Sequence, residues 1–293
     1  MSMKSEYEMY LQRRREVSTR VTGRFFKNQE SRYVEPFQIY GNLYYAGDSW
    51  VCVHILDTGD GLLMFDAGNC GAEAMLVHSI WKAGFNPQDV KWILLSHGHV
   101  DHFGAANFFR RMFGTKIYLG EPDAVMFHEH PEQTMIQESG NCMDELFEPD
   151  ALIRDGDVLK FGNTEITFHL VPGHTAGCIA CFFDVTDGTE KKRAGYCGGF
   201  GFNTLQKAFL EEIGDTSFTM RKHYLESLKK LRDEKVELFM GNHTSNVDLL
   251  SKRRFMQVHP GEENPFLDDH AWKEYLDGKC REMERLMADP EQN

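Results

Sequence analysis

The segment 96–102, which reads Ser-His-Gly-His-Val-Asp-His, constrains this chain more than any other feature of its sequence. It places three imidazoles and one carboxylate directly behind a short apolar run. Alternate side chains of an extended segment share a face, so His97 and His99 can bind one cation from the same side, while the turn that follows directs Asp101 and His102 to a second cation. Neutral imidazole and carboxylate are ligands that zinc prefers. The segment therefore predicts a two-metal site, with a histidine-rich surface loop as the alternative interpretation.

The composition narrows the class of protein. A length of 293 residues is enough for one large domain or two small ones. The formal net charge of −13 opposes binding to nucleic acid or to an anionic membrane. No apolar run approaches the roughly eighteen residues of a membrane span, and the charged N-terminus lacks the apolar stretch of a secretory signal. These features predict a cytoplasmic protein, although a chain trimmed of its leader would look the same, and they leave the oligomeric state open. They select no particular substrate, and we expect a small-molecule substrate only from the predicted two-metal site.

The cysteines show no disulfide framework. Their number, seven, is odd, which is typical of reduced thiols in the cytosol. Cys178 and Cys181 have the spacing of a metal-binding pair, but no second pair exists to complete a zinc knuckle. Their neighbours Ile179, Phe182 and Phe183 favour a buried strand, so we expect both thiols to pack in the core.

Short strands and helices alternate along two halves of the chain. Residues 1–35 are charged and predict an N-terminal helical extension, while residues 36–293 form one predicted domain. Helices that follow each strand-rich half predict an α/β fold with two packed sheets and helices outside them, a four-layer αββα sandwich with its site at one sheet edge. The predicted helices cover 71–84, 103–113 and about 217–233. The predicted strands cover 43–46, 51–56, 62–65, 92–95, 116–119, 158–161, 166–171, 178–183, 194–197 and 236–240.

Two more histidines complete the predicted metal site. His174 and His243 each follow a predicted strand and lie beside turn residues, and loops at strand ends are where rigid folds carry catalytic groups. Each metal would keep an open position for water, as catalytic zinc requires. The assignment gives the first metal His97, His99 and His174, and the second metal Asp101, His102 and His243.

The other histidines are weaker ligand candidates. His54 and His169 lie within predicted strands, where a core or hydrogen-bonded role is expected. His128 and His130 flank Glu129 in a polar stretch that predicts solvated surface. None of these four enters the predicted metal site.

These residues carry a family resemblance. The six predicted ligands, with the segment Phe-Asp-Ala-Gly at 65–68, resemble the metallo-β-lactamase superfamily, whose fold is the αββα sandwich. Within it, the chain is most similar to the third subclass of class B (zinc) β-lactamases, over roughly residues 37–287. Four segments of the chain match that subclass in the same order, namely Arg154–Asp157, Pro172–Cys178, Asn242–Asn246 and Asn264–Asp268. The resemblance implies two zinc ions on the same six residues, with iron or manganese as alternatives.

The chain departs from the family pattern in two ways. Many hydrolases of the superfamily carry a metal-bridging Asp after the strand that here ends at Cys197, and no carboxylate follows this strand. Cys197 is therefore a candidate metal ligand or a pocket-lining residue. Relatives that destroy antibiotics work outside the cytosol, and no export signal is visible here. The acidic stretch 129–150 is interpreted as an insertion on the substrate side of the pocket.

The predicted function is that of a dinuclear zinc hydrolase, similar to a β-lactamase. In this hypothesis a metal-bound hydroxide opens a cyclic amide or ester, without a covalent intermediate, and Asp101 orients the proton of the hydroxide. Asp66 is a candidate to fix a ligand imidazole or to cap its own turn. The alternatives are a lactonase, a thioesterase or another carboxyl-ester hydrolase, and a metal-binding sensor without activity. Candidate substrate contacts are Trp50, Phe200, Phe202 and Thr244.

Overall fold

The computed structural model describes residues 29–138 and 145–292, and its framework is a pair of β-sheets. Neighbouring strands of the first sheet are antiparallel from β1 to β4 and parallel from β4 to β7. Its seven strands, in chain and spatial order, are β1 (Phe37–Tyr40), β2 (Leu43–Tyr45), β3 (His54–Asp57), β4 (Leu62–Phe65), β5 (Val90–Leu94), β6 (Lys116–Gly120) and β7 (Ala151–Ile153).

The second sheet has five strands in the order β12-β11-β10-β9-β8. They are β8 (Val158–Phe161), β9 (Thr164–Leu170), β10 (Ile179–Thr186), β11 (Lys191–Cys197) and β12 (Leu238–Gly241). The pairs from β8 to β11 are antiparallel, whereas β11 and β12 are parallel. The carboxyl ends of β11 and β12 therefore lie at the same edge of this sheet.

Helices cover the outer faces of the two sheets. Leu76 and Phe109 belong to the apolar core outside the first sheet, whereas Leu228 and Trp272 belong to the core of the second. The helices are α1 (Glu73–Lys82), α2 (Val100–Phe103), α3 (Ala106–Phe113), α4 (Glu121–Glu129), α5 (Lys207–Glu212), α6 (Thr219–Leu231), α7 (Leu249–Val258) and α8 (Ala271–Ala288). The predicted four-layer αββα sandwich is confirmed.

Aromatic side chains and one histidine connect the inner faces of the sheets. The ring of Phe65 in β4 stacks on that of Phe183 in β10, with centroids 5.0 Å apart. His54 in β3 is buried, and its Nε2 donates a hydrogen bond to the carbonyl oxygen of Gly241 in β12 at 3.0 Å. Strand β4 is buried on both faces because the second sheet lies on one side of it and helices lie on the other.

The structure also shows where the sequence was less informative. Strands β1 and β7 and helices α4, α5, α7 and α8 were not predicted as separate elements, although β4 and β8 have the predicted bounds. The predicted N-terminal extension at 1–35 lies largely outside the described residues and stays a prediction. Within 29–138 and 145–292, no helix combines the length and apolar character needed to cross a bilayer.

Candidate metal centre

The six predicted ligands lie where strand ends of the two sheets meet. His97 and His99 lie on the loop after β5, and Asp101 and His102 lie on the short helix α2 that continues it. His174 follows β9 and His243 follows β12, both in the second sheet. Each segment leaves the carboxyl end of its strand, so residues far apart in sequence reach one place in the fold.

The structure brings the six side chains together in two groups of three. In each group, one ligand atom of every residue lies within 4.8 Å of the others. His97 Nε2 and His99 Nδ1 are 3.0 Å apart. Two nitrogens that share a tetrahedral zinc ion lie roughly 3.3 Å apart, so this spacing suits a common metal. The groups are His97, His99 and His174, and Asp101, His102 and His243.

The outer ring nitrogens of four histidines are fixed by oxygen acceptors. His174 Nδ1 donates to Gly201 O at 2.9 Å, and His243 Nδ1 donates to Trp50 O at 3.2 Å. A carbonyl oxygen can only accept, so the Nε2 atom of each ring keeps its lone pair. The other two donors are His97 Nδ1, to Ser96 Oγ at 2.9 Å, and His102 Nδ1, to Asp66 Oδ2 at 2.6 Å.

The electrostatics of the site suit divalent cations. Burial lowers the pKa of His97 and His174 well below the ordinary value and that of His99 to about 4, so these imidazoles are neutral. Burial opposes the charge of His102, but Asp101 and Asp66 raise the pKa of this imidazole to about 10, so a cation would replace the proton on its Nε2. Neutral imidazoles with one carboxylate are a donor set for zinc, and the residues fit two ions.

Asp66 supports residues of both groups. It is fully buried with a φ of 58°, and it accepts hydrogen bonds from four donors. His102 Nδ1 and Tyr196 OH donate to Oδ2 at 2.6 and 2.7 Å, and Ser96 donates through its hydroxyl to Oδ2 at 2.9 Å and through its backbone N–H to Oδ1 at 2.6 Å. Because the Ser96 hydroxyl donates to Asp66, its lone pair accepts from His97. One carboxylate thus orients His102 directly and His97 through Ser96.

A second buried carboxylate, Asp123 in α4, was not predicted from the sequence. It accepts from Gly98 N, Thr175 Oγ1 and Gly177 N, each at 2.7 Å. These donors belong to the loops that carry His97, His99 and His174, so Asp123 ties the two loops together. Burial raises the pKa of this carboxyl to about 6. No motif surrounds Asp123 in the sequence, and only the tertiary fold reveals its partners.

A cavity of about 740 Å³, called cavity A here, opens over the two groups. Five of the six predicted ligands line it, the exception being His97. Three predicted substrate contacts also line it, namely Trp50, Phe200 and Phe202. The fourth, Thr244, is not among the described residues that do so, because its hydroxyl donates to Ser49 O at 2.9 Å. The sequence missed other lining residues, including Asn69, Met135, Asn203, Tyr275 and Lys279.

Cys197 lies apart from the predicted ligands. Within the described part of the chain it belongs to neither group and does not line cavity A. Its thiol is buried, with Sγ 3.4 Å from Gly198 O, and burial raises the pKa of the thiol well above the ordinary value. A protonated thiol is a poor metal ligand, so these features favour a packing role. Cys178 and Cys181 are buried as well.

The remaining histidines lie outside the two groups. His54 bridges the sheets as described above. His169 in β9 is half-buried, and its ring lies 5.8 Å from that of Phe182. His128 and His130 are exposed beside acidic side chains. The surrounding stretch 129–150 contributes Met135 to cavity A, whereas its residues 139–144 lie outside the described part of the chain.

Comparison with known proteins agrees with this geometry. Residues 47–187 match the family model of the metallo-β-lactamase superfamily. The chain is 33% identical over 130 residues to hydroxyacylglutathione hydrolase GloC of Haemophilus influenzae, and this match covers 44% of the chain and 58% of the relative. It is 24% identical over 226 residues to the probable metallo-hydrolase YqgX of Bacillus subtilis, covering 73% of the chain and 91% of the relative.

Solved structures extend the likeness over most of the chain. The native FEZ-1 metallo-β-lactamase from Legionella gormanii is 25% identical with a TM-score of 0.79, covering 89% of this chain and 98% of that one. BJP-1, a subclass B3 metallo-β-lactamase of Bradyrhizobium japonicum, is 24% identical with a TM-score of 0.76, covering 88% and 95%. Residues 47–187 carry a metallo-β-lactamase domain, and the fold of the chain is that of these solved structures. The family and the relatives' names support a metal-dependent hydrolase.

Proposed function

We propose that this protein is a dinuclear zinc hydrolase that opens a cyclic amide or ester bond in cavity A, as a β-lactamase does. The observation that carries the proposal is the convergence of six donor side chains, in two groups of three, on one cavity of about 740 Å³. A volume of this size suits a small-molecule substrate. Substrate-sized space directly over a two-metal donor set favours hydrolysis over a purely structural metal site.

The residues of the site divide the work between them. When bound, divalent cations supply Lewis acidity and lower the pKa of water toward 7. His97, His99 and His174 would hold one cation, and Asp101, His102 and His243 the other. The hydrogen bonds of Asp66 and Asp123 hold these side chains in place, which reduces the reorganisation that the reaction requires.

Asp101 is the catalytic carboxylate in this proposal. Its side chain is 20% exposed and lines cavity A, with Oδ2 at 3.4 Å from His102 Nε2 and 3.6 Å from His243 Nε2. Burial opposes ionisation of Asp101, but the charges of His102 and His243 lower the pKa of this carboxyl below its ordinary value. The carboxylate is therefore ionised at neutral pH and can accept a hydrogen bond from the attacking water, which orients the oxygen toward the carbonyl.

The walls of cavity A suit a substrate with apolar surface. The indole of Trp50 lies 5.5 Å from the ring of His243, and the ring of Phe200 lies 4.8 Å from that of Tyr275. The ammonium group of Lys279 lies 5.1 Å from the ring centroid of Phe202 and pairs with Glu282 at 2.8 Å. These side chains would contact the substrate and exclude water around the reacting bond.

A thioester hydrolase is the second candidate, and one observation favours it. A relative with 33% identity is named a hydroxyacylglutathione hydrolase, and a hydroxyacyl-glutathione is a thioester. The same donor set would serve both reactions, because each requires attack of water on a carbonyl. Lactones form the third class of substrate to be compared.

The test joins metal content to turnover. Protein purified without added metal is analysed by mass spectrometry, and hydrolysis of a chromogenic cephalosporin, a lactone and a hydroxyacyl-glutathione is followed with and without chelator. We expect two zinc ions per chain and turnover that the chelator abolishes. His99→Ala should lose one equivalent of zinc and turnover, whereas His128→Ala, which removes an exposed histidine, should lose neither. Iron, an absence of metal, or turnover that survives in His99→Ala would refute the proposal.

A further inference from the structure

A second cavity reaches the metal centre from another side. This space, called cavity B here, has a volume of about 510 Å³. His99 and His174, two residues of the first ligand group, line both cavities, whereas no residue of the second group lines cavity B. Cavities A and B therefore lie next to each other on the side of the centre that belongs to the first group.

The walls of cavity B are mainly apolar. They come from α4 and from the region around α5 and the start of α6, and they include Pro122, Val125, Met126, Phe209, Ile213 and Met220. Met126 is buried, whereas Phe209, Ile213 and Met220 are half-buried. Space beside half-buried apolar side chains favours an apolar occupant, because covering them removes more of their surface from water.

The charged groups of cavity B disfavour an anionic occupant. Glu129 is exposed, and the Asp215 carboxylate accepts from the backbone N–H groups of Thr219 and Met220 at 2.9 Å each. His130 also lines the cavity, with Nδ1 at 3.5 Å from Glu132. The carboxylates of Glu129 and Asp215 repel an anion, so a neutral group suits this space.

A weak contact lies near the boundary between the cavities. Asn203 Nδ2 donates to Met135 Sδ at 3.9 Å, and both residues line cavity A. Their near neighbours Thr204 and Gln133 line cavity B. A thioether is a weak acceptor, so little free energy holds this contact closed. Thr204 Oγ1 lies 3.0 Å from His174 Nδ1, so the wall of cavity B is tied to a candidate ligand there, whereas the contact between Asn203 and Met135 is weak.

We propose that cavity B binds an uncharged, apolar group on the acyl side of the substrate, while the scissile bond lies in cavity A. This inference rests on the hydrolase function proposed above and adds the substrate class, an ester or amide with an apolar acyl substituent. In a two-metal site one cation stabilises the departing atom. We assign this role to the cation that Asp101, His102 and His243 would hold, and these three residues do not line cavity B. The acyl arm is then the part of the substrate that extends past His99 and His174.

The test measures binding and does not depend on turnover. Straight-chain carboxylates from acetate to decanoate, which resemble the acyl product, are titrated into the zinc-loaded protein by calorimetry. Each methylene that becomes buried should tighten binding about fourfold, until cavity B is filled. A Kd that is independent of chain length in the parent protein would overturn the proposal.

Two variants test whether the alkyl chain of the carboxylate lies in cavity B. Ile213→Trp places an indole in cavity B and should remove most of the chain-length dependence while acetate binding stays unchanged. Glu212→Trp is the matched control, because Glu212 is exposed, lies next in sequence and does not line either cavity among the described residues. Val125→Trp, which changes a lining residue of α4 that is 46% exposed in the parent, should repeat the effect of Ile213→Trp.

The outcomes separate this inference from the proposed function. If the Kd of the carboxylates still depends on their length in both Ile213→Trp and Val125→Trp as it does in the parent, the alkyl chain lies outside cavity B and the inference is overturned. Loss in these variants but not in Glu212→Trp would support it. Failure of the zinc-loaded protein to hydrolyse any cephalosporin, lactone or thioester would refute the proposed function, and the binding series would still report on cavity B.

Discussion

Replacement of Asp66 by Asn tests how the protein controls the tautomer of a ligand histidine. The carboxylate oxygen Oδ2 accepts from His102 Nδ1 at 2.6 Å, so Nε2 is the ring nitrogen that can give up its proton and bind a cation in the second ligand group. In Asp66→Asn, the amide oxygen can still accept from Ser96 N, but the NH₂ group then faces His102. In this orientation, which keeps the hydrogen bond from Ser96 N, His102 accepts at Nδ1 and carries its proton on Nε2, where it cannot bind metal.

The expected loss is confined to one metal. Mutation of a hydrogen-bonding partner behind a metal ligand typically weakens metal binding by about 10–100-fold. We expect a loss of this size, about 1.4–2.7 kcal/mol, in the zinc affinity of the group with Asp101, His102 and His243. Asn tolerates the φ of 58° at this position nearly as well as Asp, so strain of the backbone does not confuse the result.

A competition titration with a chromophoric chelator resolves the two zinc affinities. Tyr196→Phe is the matched control, because it removes the 2.7 Å hydrogen bond from Tyr196 OH to the same Asp66 oxygen and leaves the contact with His102 in place. We expect it to lower the free energy of unfolding by about 1.5–3 kcal/mol without weakening zinc binding. Parent-like affinity for both zinc ions in Asp66→Asn would refute the tautomer argument, as would an equal zinc loss in Tyr196→Phe.

Three further predictions concern stability. Burial lowers the pKa of His54 to about 4, so the contribution of this group to the free energy of unfolding is complete above pH 6.5 and is lost as the pH falls toward 4; the full loss is about 3 kcal/mol. Between about pH 7 and 5, the free energy of unfolding measured in urea should therefore fall less in His54→Gln than in the parent. Thr175→Val removes a donor to Asp123, whose pKa is raised to about 6 by burial, so the variant should lose about 1–3 kcal/mol at pH 7 and less near pH 5, where the carboxyl is protonated. Chelation of zinc present at about a hundred times its Kd should lower the free energy of unfolding by about 2.7 kcal/mol per ion, which the urea midpoint with and without chelator measures.

The sandwich fold could be predicted because its strands are short and well separated by turns. The predicted strand at 62–65 coincides with β4, and the predicted helix over 103–113 ends at Gly114, which adopts a left-handed φ of 75°. Helix α8 was not predicted, although its buried residues Trp272, Leu276 and Met283 have the spacing of one face of a helix. Its packing onto the second sheet through Trp272 depends on tertiary context, which one sequence does not supply.

The grouping of the six candidate ligands could be predicted from strand ends and local spacing. The hydrogen bonds that hold these side chains in place could be predicted only in part. Asp66 was a candidate because it adjoins a predicted strand, and its φ of 58° shows that it also forms the turn. Asp123 reaches Gly177 across 54 residues of sequence, so no local pattern could reveal it. Thr244 was expected in the pocket from its position beside His243, whereas the side chain turns back to Ser49.

The two buried carboxylates explain why this site separates metal binding from substrate choice. Asp66 and Asp123 accept seven hydrogen bonds, six of them from residues 96–102 and 174–177, so the donor set is held by short-range contacts within the protein. Part of the walls of cavities A and B instead comes from side chains such as Lys279 and Ile213, which are not among the donors to those carboxylates. Changes in these walls can therefore alter the substrate while the metal centre stays intact, which is why the ligand motif predicts a hydrolytic centre and the cavities decide what it hydrolyses.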